Sequence, residues 1–417
     1  MDKNFFTNFV KKSVINQEAV SNSFCCVVHR DVLAGRTEIA ELPKKTSSPI
    51  NKLFINGLLK ELPTKFFIIM DSTIQKKRIE YVDLMKGFCI ILVVYHHSVY
   101  SFGVEKIDLV LNNFRMPLYF FLAGLFFKPY SCFMEFLIRK TNRILIPYFF
   151  FSWIPFCLLS FLYTKKFTHP IFWVLSPIYT YHGVLWFLKS FFISQIIFYL
   201  FYKATKNKSI LTHVIILVVM TLVNYYVCGF YEKNVLSKRF PIIEHSFFTA
   251  VMVQPYLYVA YLVNSYGILK KEWGRRQTVI CLIVGIVCAF LFAQQNVSLV
   301  NSRFGDFYPF AYISALSSIC VVIIICRKIN KLPFVSYLGR YSLIVLGTHY
   351  AYLTVLTNLW EFPYFVNFII LLILMPPTIW LFKTLFPYFT AQKDLIKYRP
   401  KTTTESPESA ETKQSRG

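Results

Sequence analysis

Long apolar stretches alternate with short polar ones from about residue 84 to residue 387. The pattern predicts ten spans, at residues 84–103, 112–128, 144–163, 184–202, 210–228, 244–264, 277–294, 307–326, 341–360 and 364–387. Each is close to the roughly 20 residues that a helix needs to cross about 30 Å of hydrocarbon. A single span in lipid must satisfy its backbone hydrogen bonds internally, so we expect helices. The pattern therefore predicts an all-α integral membrane protein with about ten transmembrane helices.

Lysine and arginine concentrate in alternate loops, which begin with residues 76–78 before the first span and recur after each second span. Loops rich in these two residues stay on the cytoplasmic side of a membrane. The distribution therefore predicts that both termini are cytoplasmic, as an even number of spans requires.

The two ends of the chain differ in composition from the spans. Residues 1–69 are polar and mixed, and Met70 opens a stretch, MDSTIQKKRIEYVDLMKG, that has the character of a cytoplasmic start. We predict that residues 1–69 are either a disordered extension or lie upstream of the true start. Residues 70–390 form the predicted membrane domain, and residues 391–417 a disordered polar tail.

The composition agrees with a membrane protein. The 417 residues are 55% hydrophobic, and the formal net charge is +24. In a soluble protein this charge would indicate a nucleic-acid partner. Here the basic residues lie between spans, where they contact anionic lipid headgroups, so we predict membrane lipid and no nucleic acid as a partner. The ten cysteines form no CxxC pair, and we predict no disulfide and no metal site.

The first span carries titratable residues at both ends, in the stretch DLMKGFCIILVVYHH at residues 83–97. At 100° per residue, Lys86 and His97 share one helix face and lie roughly 16 Å apart along the axis. Asp83 can pair with Lys86 at spacing i, i+3. In one interpretation, Lys86 extends to the lipid phosphates and the histidines mark the interface. In the other, this face lines a cavity in which a cation holds an anionic substrate and an imidazole transfers protons.

This span resembles the first span of the acyltransferase 3 family of membrane O-acyltransferases, in which a basic residue precedes a His by eleven positions. The motif has lysine at position 86 where many members have arginine, and this lysine form resembles the branch that includes fucose 4-O-acetylase-like enzymes. Four later stretches resemble family motifs in the same order: FRMPLYFFLAGLFF (114–127, with Arg115 where a His is often found), FLIRKTNRILIPYFF (136–150), HGVLWFLKSFF (182–192) and YLGRYSLIVLGTH (337–349).

The resemblance implies an enzyme of the plasma (inner) membrane that moves an acyl group, in most members acetyl, from cytoplasmic acyl-CoA. The acceptor would be a hydroxyl of a cell-surface polysaccharide or lipid-linked sugar, and acetyl-CoA a co-substrate. His97 would be the catalytic residue. The acyl donor would be bound by Lys86, Arg139, Lys140 and Arg143, with Asp83, Trp186 and His349 in supporting positions.

Other interpretations stay open on the sequence. A transporter or exporter of a glycan or lipid would also need many spans and buried polar groups, although no internal repeat is visible. A sensor with the same fold and a decayed site is a further alternative. Among single residues, Arg139 and Arg143 can be ordinary loop charges, Trp186 an interfacial aromatic, and His349 a partner of a neighbouring helix.

Overall fold

The structure is a computed structural model that describes residues 79–99, 103–159, 183–206, 208–233, 241–295, 297–305, 307–359 and 362–398. The predicted extension over residues 1–69 lies outside the described residues. Residues 399–417 of the predicted tail lie outside them as well.

Helices form most of the described chain. The helices are α1 (Glu80–Val99), α2 (Glu105–Phe114), α3 (Pro117–Leu125), α4 (Phe133–Lys140), α5 (Ile146–Leu159), α6 (Trp186–Thr205), α7 (Ile210–Lys233), α8 (Pro241–Met252), α9 (Gln254–Ser265), α10 (Arg275–Leu291), α11 (Tyr308–Ile329), α12 (Pro333–Arg340), α13 (Ser342–Leu359) and α14 (Tyr364–Leu385). A π-helical turn (Thr141–Leu145) joins α4 to α5, and a 3₁₀ turn (Gly183–Leu185) precedes α6. The strands β1 (Val297–Ser298) and β2 (Arg303–Phe304) pair antiparallel between α10 and α11.

Five helical segments of the described chain are long and apolar enough to cross a membrane: Glu80–Val99, Ile210–Val227, His245–Ser265, Tyr308–Ile329 and Tyr364–Leu385. Ser342–Thr357 is a shorter apolar helix. The helical content and these segments support an all-α membrane protein. The count of ten spans and the cytoplasmic position of both termini stay predictions.

The predicted second span, residues 112–128, is not one continuous helix. α2 ends at Phe114 and α3 begins at Pro117, so Arg115 and Met116 lie at a break. Proline has no backbone N–H and is favoured in the first turn of a helix, which explains why the new helix begins there. Pro255, in the first turn of α9, marks a similar interruption within the predicted sixth span.

Helix α1 lies inside the bundle, where α11, α12, α13 and α14 pack around it. Its closest neighbour is α12, and glycines allow that approach. A Cβ atom on Gly87 would collide with the carbonyl of Val335, and a Cβ on Gly339 with the carbonyl of Asp83. Because both obstacles are backbone atoms, only glycine fits at these two positions.

The bundle has two chemically different ends. At the start of α1, Glu80 pairs with Lys331 at 3.5 Å, and Lys383 at the end of α14 lies 5.3 Å from the Tyr341 ring centroid. We call this the basic end, because α4 with Arg139 and Lys140 and the following π-helical turn with Arg143 also pack there. At the opposite end of α1, Tyr95 contacts Phe368 near the start of α14, at 5.2 Å between ring centroids. We call this the histidine end, because it contains His96 and His97.

From the close α1–α12 contact we expect that one added methyl group at Gly339 lowers the stability of the protein. Gly339→Ala should destabilise the protein by about 1–3 kcal/mol or prevent its recovery in detergent, because the backbone of α1 cannot move aside. The thermal unfolding midpoint of the purified protein measures this. Gly285→Ala is the matched control, since its Cβ would meet the end of the Val321 side chain at 2.7 Å and the Ser317 carbonyl oxygen only at 3.5 Å, an ordinary contact distance. Equal midpoints for the two variants would show that the α1–α12 contact is not tight.

Candidate active site

The structure brings together two predicted site residues, His97 of α1 and His349 of α13. Their ring centroids are 5.4 Å apart, and the Tyr350 ring lies 5.9 Å from His97 on a third side. His96 contacts His97 edge to face at 5.6 Å. The two histidines come from stretches more than 250 positions apart in the chain, so their contact is a product of the fold.

His349 is completely buried and its tautomer is fixed by one hydrogen bond. Its Nδ1 lies 2.9 Å from the carbonyl oxygen of Val345. A carbonyl only accepts, so Nδ1 carries the proton and Nε2 keeps a lone pair. Among the described residues, this buried Nε2 has no hydrogen-bond partner. A buried polar atom without a partner is costly, so a hydroxyl group brought between the two imidazoles would be stabilised there.

A cation that the sequence interpretation did not place in the site lies on the helix pair next to α1. Arg115 lies at the break between α2 and α3, where its carbonyl oxygen accepts a hydrogen bond from Cys89 Sγ of α1 at 2.7 Å. Its Nη2 donates to Asn112 Oδ1 at 3.2 Å, one turn back along α2. The available signal was an arginine within an apolar span, at a motif position where the family often has His.

Lys86 and His97 lie on one uninterrupted helix, as predicted. α1 is helical from Glu80 to Val99, so the two side chains share a face and lie roughly 16 Å apart along the axis. Lys86 is half-buried, and its backbone carbonyl accepts a bond from the Tyr119 hydroxyl at 3.3 Å. The pairing of Asp83 with Lys86 stays a prediction.

The three other predicted donor-binding cations are held differently from one another. Arg139 pairs with Glu135 at 2.9 Å, and Arg143 lies 3.6 Å from Asp394. Hydrogen bonds from Ser131 lower the pKa of Glu135 below its usual value, which keeps this partner ionised. Lys140 instead turns inward and donates to Gln195 Oε1 of α6 at 2.8 Å. Two of the three cations therefore already have carboxylate partners.

Residues 386–398, which we call the C-terminal strap, pack across α4 and α5 at the basic end. Asn142 Oδ1 accepts bonds from the backbone N–H groups of Leu395 and Ile396 at 2.8 and 2.9 Å, and Asn142 Nδ2 donates to the Ile396 carbonyl at 2.8 Å. The Arg143 guanidinium donates to the Ala391 carbonyl at 2.6 Å. The predicted polar tail therefore begins with eight residues, 391–398, that are held against the basic loop.

The remaining supporting residue, Trp186, begins α6 and is half-buried. Its ring contacts Phe187 at 6.2 Å, and the 3₁₀ turn before it packs against α13, the helix that carries His349. Its contribution to the site stays a prediction.

The fold and the site define a helical membrane protein with a cluster of histidines and one arginine inside the bundle. A family model described as an acyltransferase domain matches residues 79–385, which is more than half of the chain. The chain therefore belongs to the acyltransferase 3 family. Comparison with curated proteins gave no match, and comparison with solved structures gave none either. The similarity to the fucose 4-O-acetylase-like branch stays a prediction.

The attachment of the C-terminal strap depends on one side chain and can be tested at that position. Asn142→Ala removes the three hydrogen bonds to Leu395 and Ile396, so backbone amide exchange over residues 391–398 should rise at least tenfold. Hydrogen–deuterium exchange with mass spectrometry measures this change. Gln392→Ala is the control, because Gln392 Nε2 bonds only within the strap, to the Thr390 carbonyl at 2.9 Å. Unchanged exchange in the Asn142 variant would contradict the assignment.

Proposed function

We propose that this protein is a membrane O-acyltransferase that moves an acetyl group from cytoplasmic acetyl-CoA to a hydroxyl of a cell-surface polysaccharide or lipid-linked sugar. Membership of the acyltransferase 3 family supports acyl transfer in general. The observation that carries the proposal is the position of His97, which shares a helix face with Lys86 and contacts the buried His349.

The length of the donor fits the distance along α1. The pantetheine arm of CoA is roughly 15–20 Å long when extended. Lys86 and His97 are roughly 16 Å apart on the same face. Phosphates held near Lys86 would therefore put the thioester beside His97. In this arrangement the basic end faces the cytoplasm, as the loop charges predict.

The cations at the basic end differ in how readily they can bind the donor phosphates. Lys140 bonds to a neutral amide, so its charge is not compensated by a carboxylate. Burial lowers the pKa of Lys140 to about 8, which leaves most of the population charged at neutral pH. Arg139 and Arg143 would first have to exchange Glu135 and Asp394 for phosphate. We therefore assign Lys140 to the donor before the two arginines, and Lys86 by its position on the helix face of His97.

The reaction follows from the groups at the histidine end. His97 accepts the proton of the acceptor hydroxyl while the hydroxyl oxygen forms a bond to the thioester carbonyl carbon. The carbonyl π pair moves to oxygen and then returns as the carbon–sulfur bond breaks. The leaving thiolate takes the proton from His97, which restores the neutral imidazole. The lone pair on His349 Nε2 supports the step by accepting a hydrogen bond from a bound hydroxyl.

The catalytic assignment predicts that His97→Ala lowers acetyl transfer at least about 100-fold, the lower bound for loss of a general base. Purified protein in detergent is supplied with labelled acetyl-CoA and a glycan fraction from cells that lack the gene, and alkali-labile label on the glycan is counted. His96→Ala is the matched control at the adjacent position and should keep most of the activity. Transfer by the His97 variant at the wild-type rate would remove His97 from the mechanism.

The same assay separates an enzyme from a transporter. Detergent solution has no compartments, so a transporter or exporter would leave acetyl-CoA and glycan unchanged, whereas an acyltransferase labels the glycan. Labelling by the wild-type protein that disappears in the His97 variant supports the enzyme. No labelling with any glycan fraction, from a protein that is folded by its thermal midpoint, would contradict the proposed function.

The donor assignment predicts that Lys86→Gln raises the KM for acetyl-CoA about tenfold, because a lost charged contact is worth about 1.4 kcal/mol. Lys86→Arg should restore most of the affinity, since the charge remains. Lys331→Gln, an exposed position at the same end of the bundle, is the control and should leave the KM unchanged. Initial rates at varied acetyl-CoA concentration measure all three. A normal KM in Lys86→Gln would place the phosphates elsewhere.

A further inference from the structure

Arg115 is a cation at the break between α2 and α3, level with the middle of α1, and its surroundings contain little negative charge. Among the described residues, its guanidinium forms no ion pair and makes one hydrogen bond, to Asn112 Oδ1 at 3.2 Å. Asp108, nearly two turns earlier in α2, acts on it only at longer range. A guanidinium has five N–H donors, so most of its capacity to bind an anion is unused.

The direction of the Arg115 side chain follows from its bonds. Its carbonyl is fixed to α1 at Cys89, about two helical turns before His97. Its guanidinium bonds to Asn112, which lies one turn back along α2, towards the histidine end. The guanidinium is thereby directed from the level of Cys89 towards the end of α1 that carries His97.

The backbone is interrupted at Arg115, between the end of α2 and the start of α3. The break between α2 and α3 interrupts the helix at Arg115 and Met116, and the Cys89 thiol supplies a hydrogen bond to the Arg115 carbonyl. A charged side chain within a membrane bundle is costly unless it is compensated, so its presence marks a functional position. Among the described residues, no carboxylate pairs with Arg115. A transient anion formed next to His97 would compensate the charge of Arg115.

We propose that Arg115 stabilises the oxyanion of the tetrahedral intermediate in acetyl transfer, a role that rests on the proposed function. When the acceptor oxygen bonds to the thioester carbon, the carbonyl π pair becomes a negative charge on oxygen and the acceptor proton moves to His97. The guanidinium donates to this oxygen. When the carbon–sulfur bond breaks, the charge leaves with the thiolate, which takes the proton from His97.

A role in the transition state differs measurably from a role in ground-state binding. A donor to an oxyanion acts on a charge that is absent from the bound substrates, so its removal lowers kcat by roughly 100- to 1,000-fold and leaves KM nearly unchanged. An arginine that binds a carboxylate or phosphate of a substrate gives the opposite pattern. An arginine needed only for folding would also lower the thermal midpoint and weaken the binding of unreactive ligands.

The experiment compares wild-type protein with Arg115→Met, Arg115→Lys and, as a control arginine in the loop between α10 and α11, Arg303→Gln. Acetyl-CoA and the glycan fraction from cells that lack the gene serve as substrates. We expect kcat to fall at least 100-fold in the Met variant, to recover at least tenfold in the Lys variant, and to stay normal in the control. Binding of a thioether analogue of acetyl-CoA, which cannot transfer its acyl group, should be equal in all four proteins.

The outcomes separate the two proposals. Acetyl transfer by the wild type with a wild-type kcat in the Arg115→Met variant would overturn the role of Arg115 and leave the proposed function intact. A rise in either KM at constant kcat, or loss of analogue binding, would overturn it in favour of ground-state binding or a structural role. If the Met variant is not recovered, a lower kcat at unchanged KM in Arg115→Lys supports the role, and a higher KM at unchanged kcat overturns it. No transfer by the folded wild type would reject the proposed function itself.

Discussion

The backbone contact between α1 and α12 positions the helix that carries His97 against the segment that leads into the helix of His349. Gly87 and Gly339 lie at this contact, where a Cβ on Gly339 would collide with the Gly87 nitrogen. His97 follows Gly87 by ten residues, and His349 follows Gly339 by ten. Ten residues of α1 rise about 15 Å from Gly87 to His97, whereas the chain from Gly339 to His349 crosses the break at Tyr341 between α12 and α13. A methyl group at the contact would displace α12 and, through this short connection, α13, which connects a packing constraint far from the histidines to their separation.

The distribution of charge gives the two ends of the bundle different chemistry. At the basic end, carboxylates neutralise Arg139 and Arg143, while Lys140 is buried against a neutral amide. Towards the histidine end, Arg115 bonds to the neutral amide of Asn112 and forms no ion pair among the described residues. Coulomb interactions strengthen as water is excluded, so one uncompensated cation there has more influence on a reacting group than several exposed cations in the basic loop. The number of basic residues in the sequence is therefore a poor guide to where charge acts.

Much of the fold was predictable, because hydrophobic length determines helices in lipid and helical spacing determines which residues share a face. The extent of α1 and the common face of Lys86 and His97 follow from such local rules. The break at Arg115 was readable from Pro117, and the Glu135–Arg139 pair from its i, i+4 spacing, although neither was predicted. Two contacts depend on tertiary packing and could not be predicted from any local sequence pattern. They are the ring contact of His97 with His349 and the hydrogen bonds of Asn142 to Leu395 and Ile396. The polar composition of the tail concealed that its first residues are ordered by a buried side chain.

Buried polar atoms without partners give a further reason to regard the two ends as parts of one path. Among the described residues, Gln195 Nε2 at the basic end has no hydrogen-bond partner, although Oε1 of the same amide is bound to Lys140. His349 Nε2 at the histidine end is also buried without a hydrogen-bond partner among the described residues. Each such atom costs about 1–3 kcal/mol, and this cost is recovered when a ligand supplies the missing group. Under the proposed function, the pantetheine arm would supply amide oxygens that accept from Gln195, and the acceptor would supply a hydroxyl that donates to His349. One unsatisfied donor near Lys140 and one unsatisfied acceptor near His97 would then follow the order of groups from the donor phosphates to the acceptor.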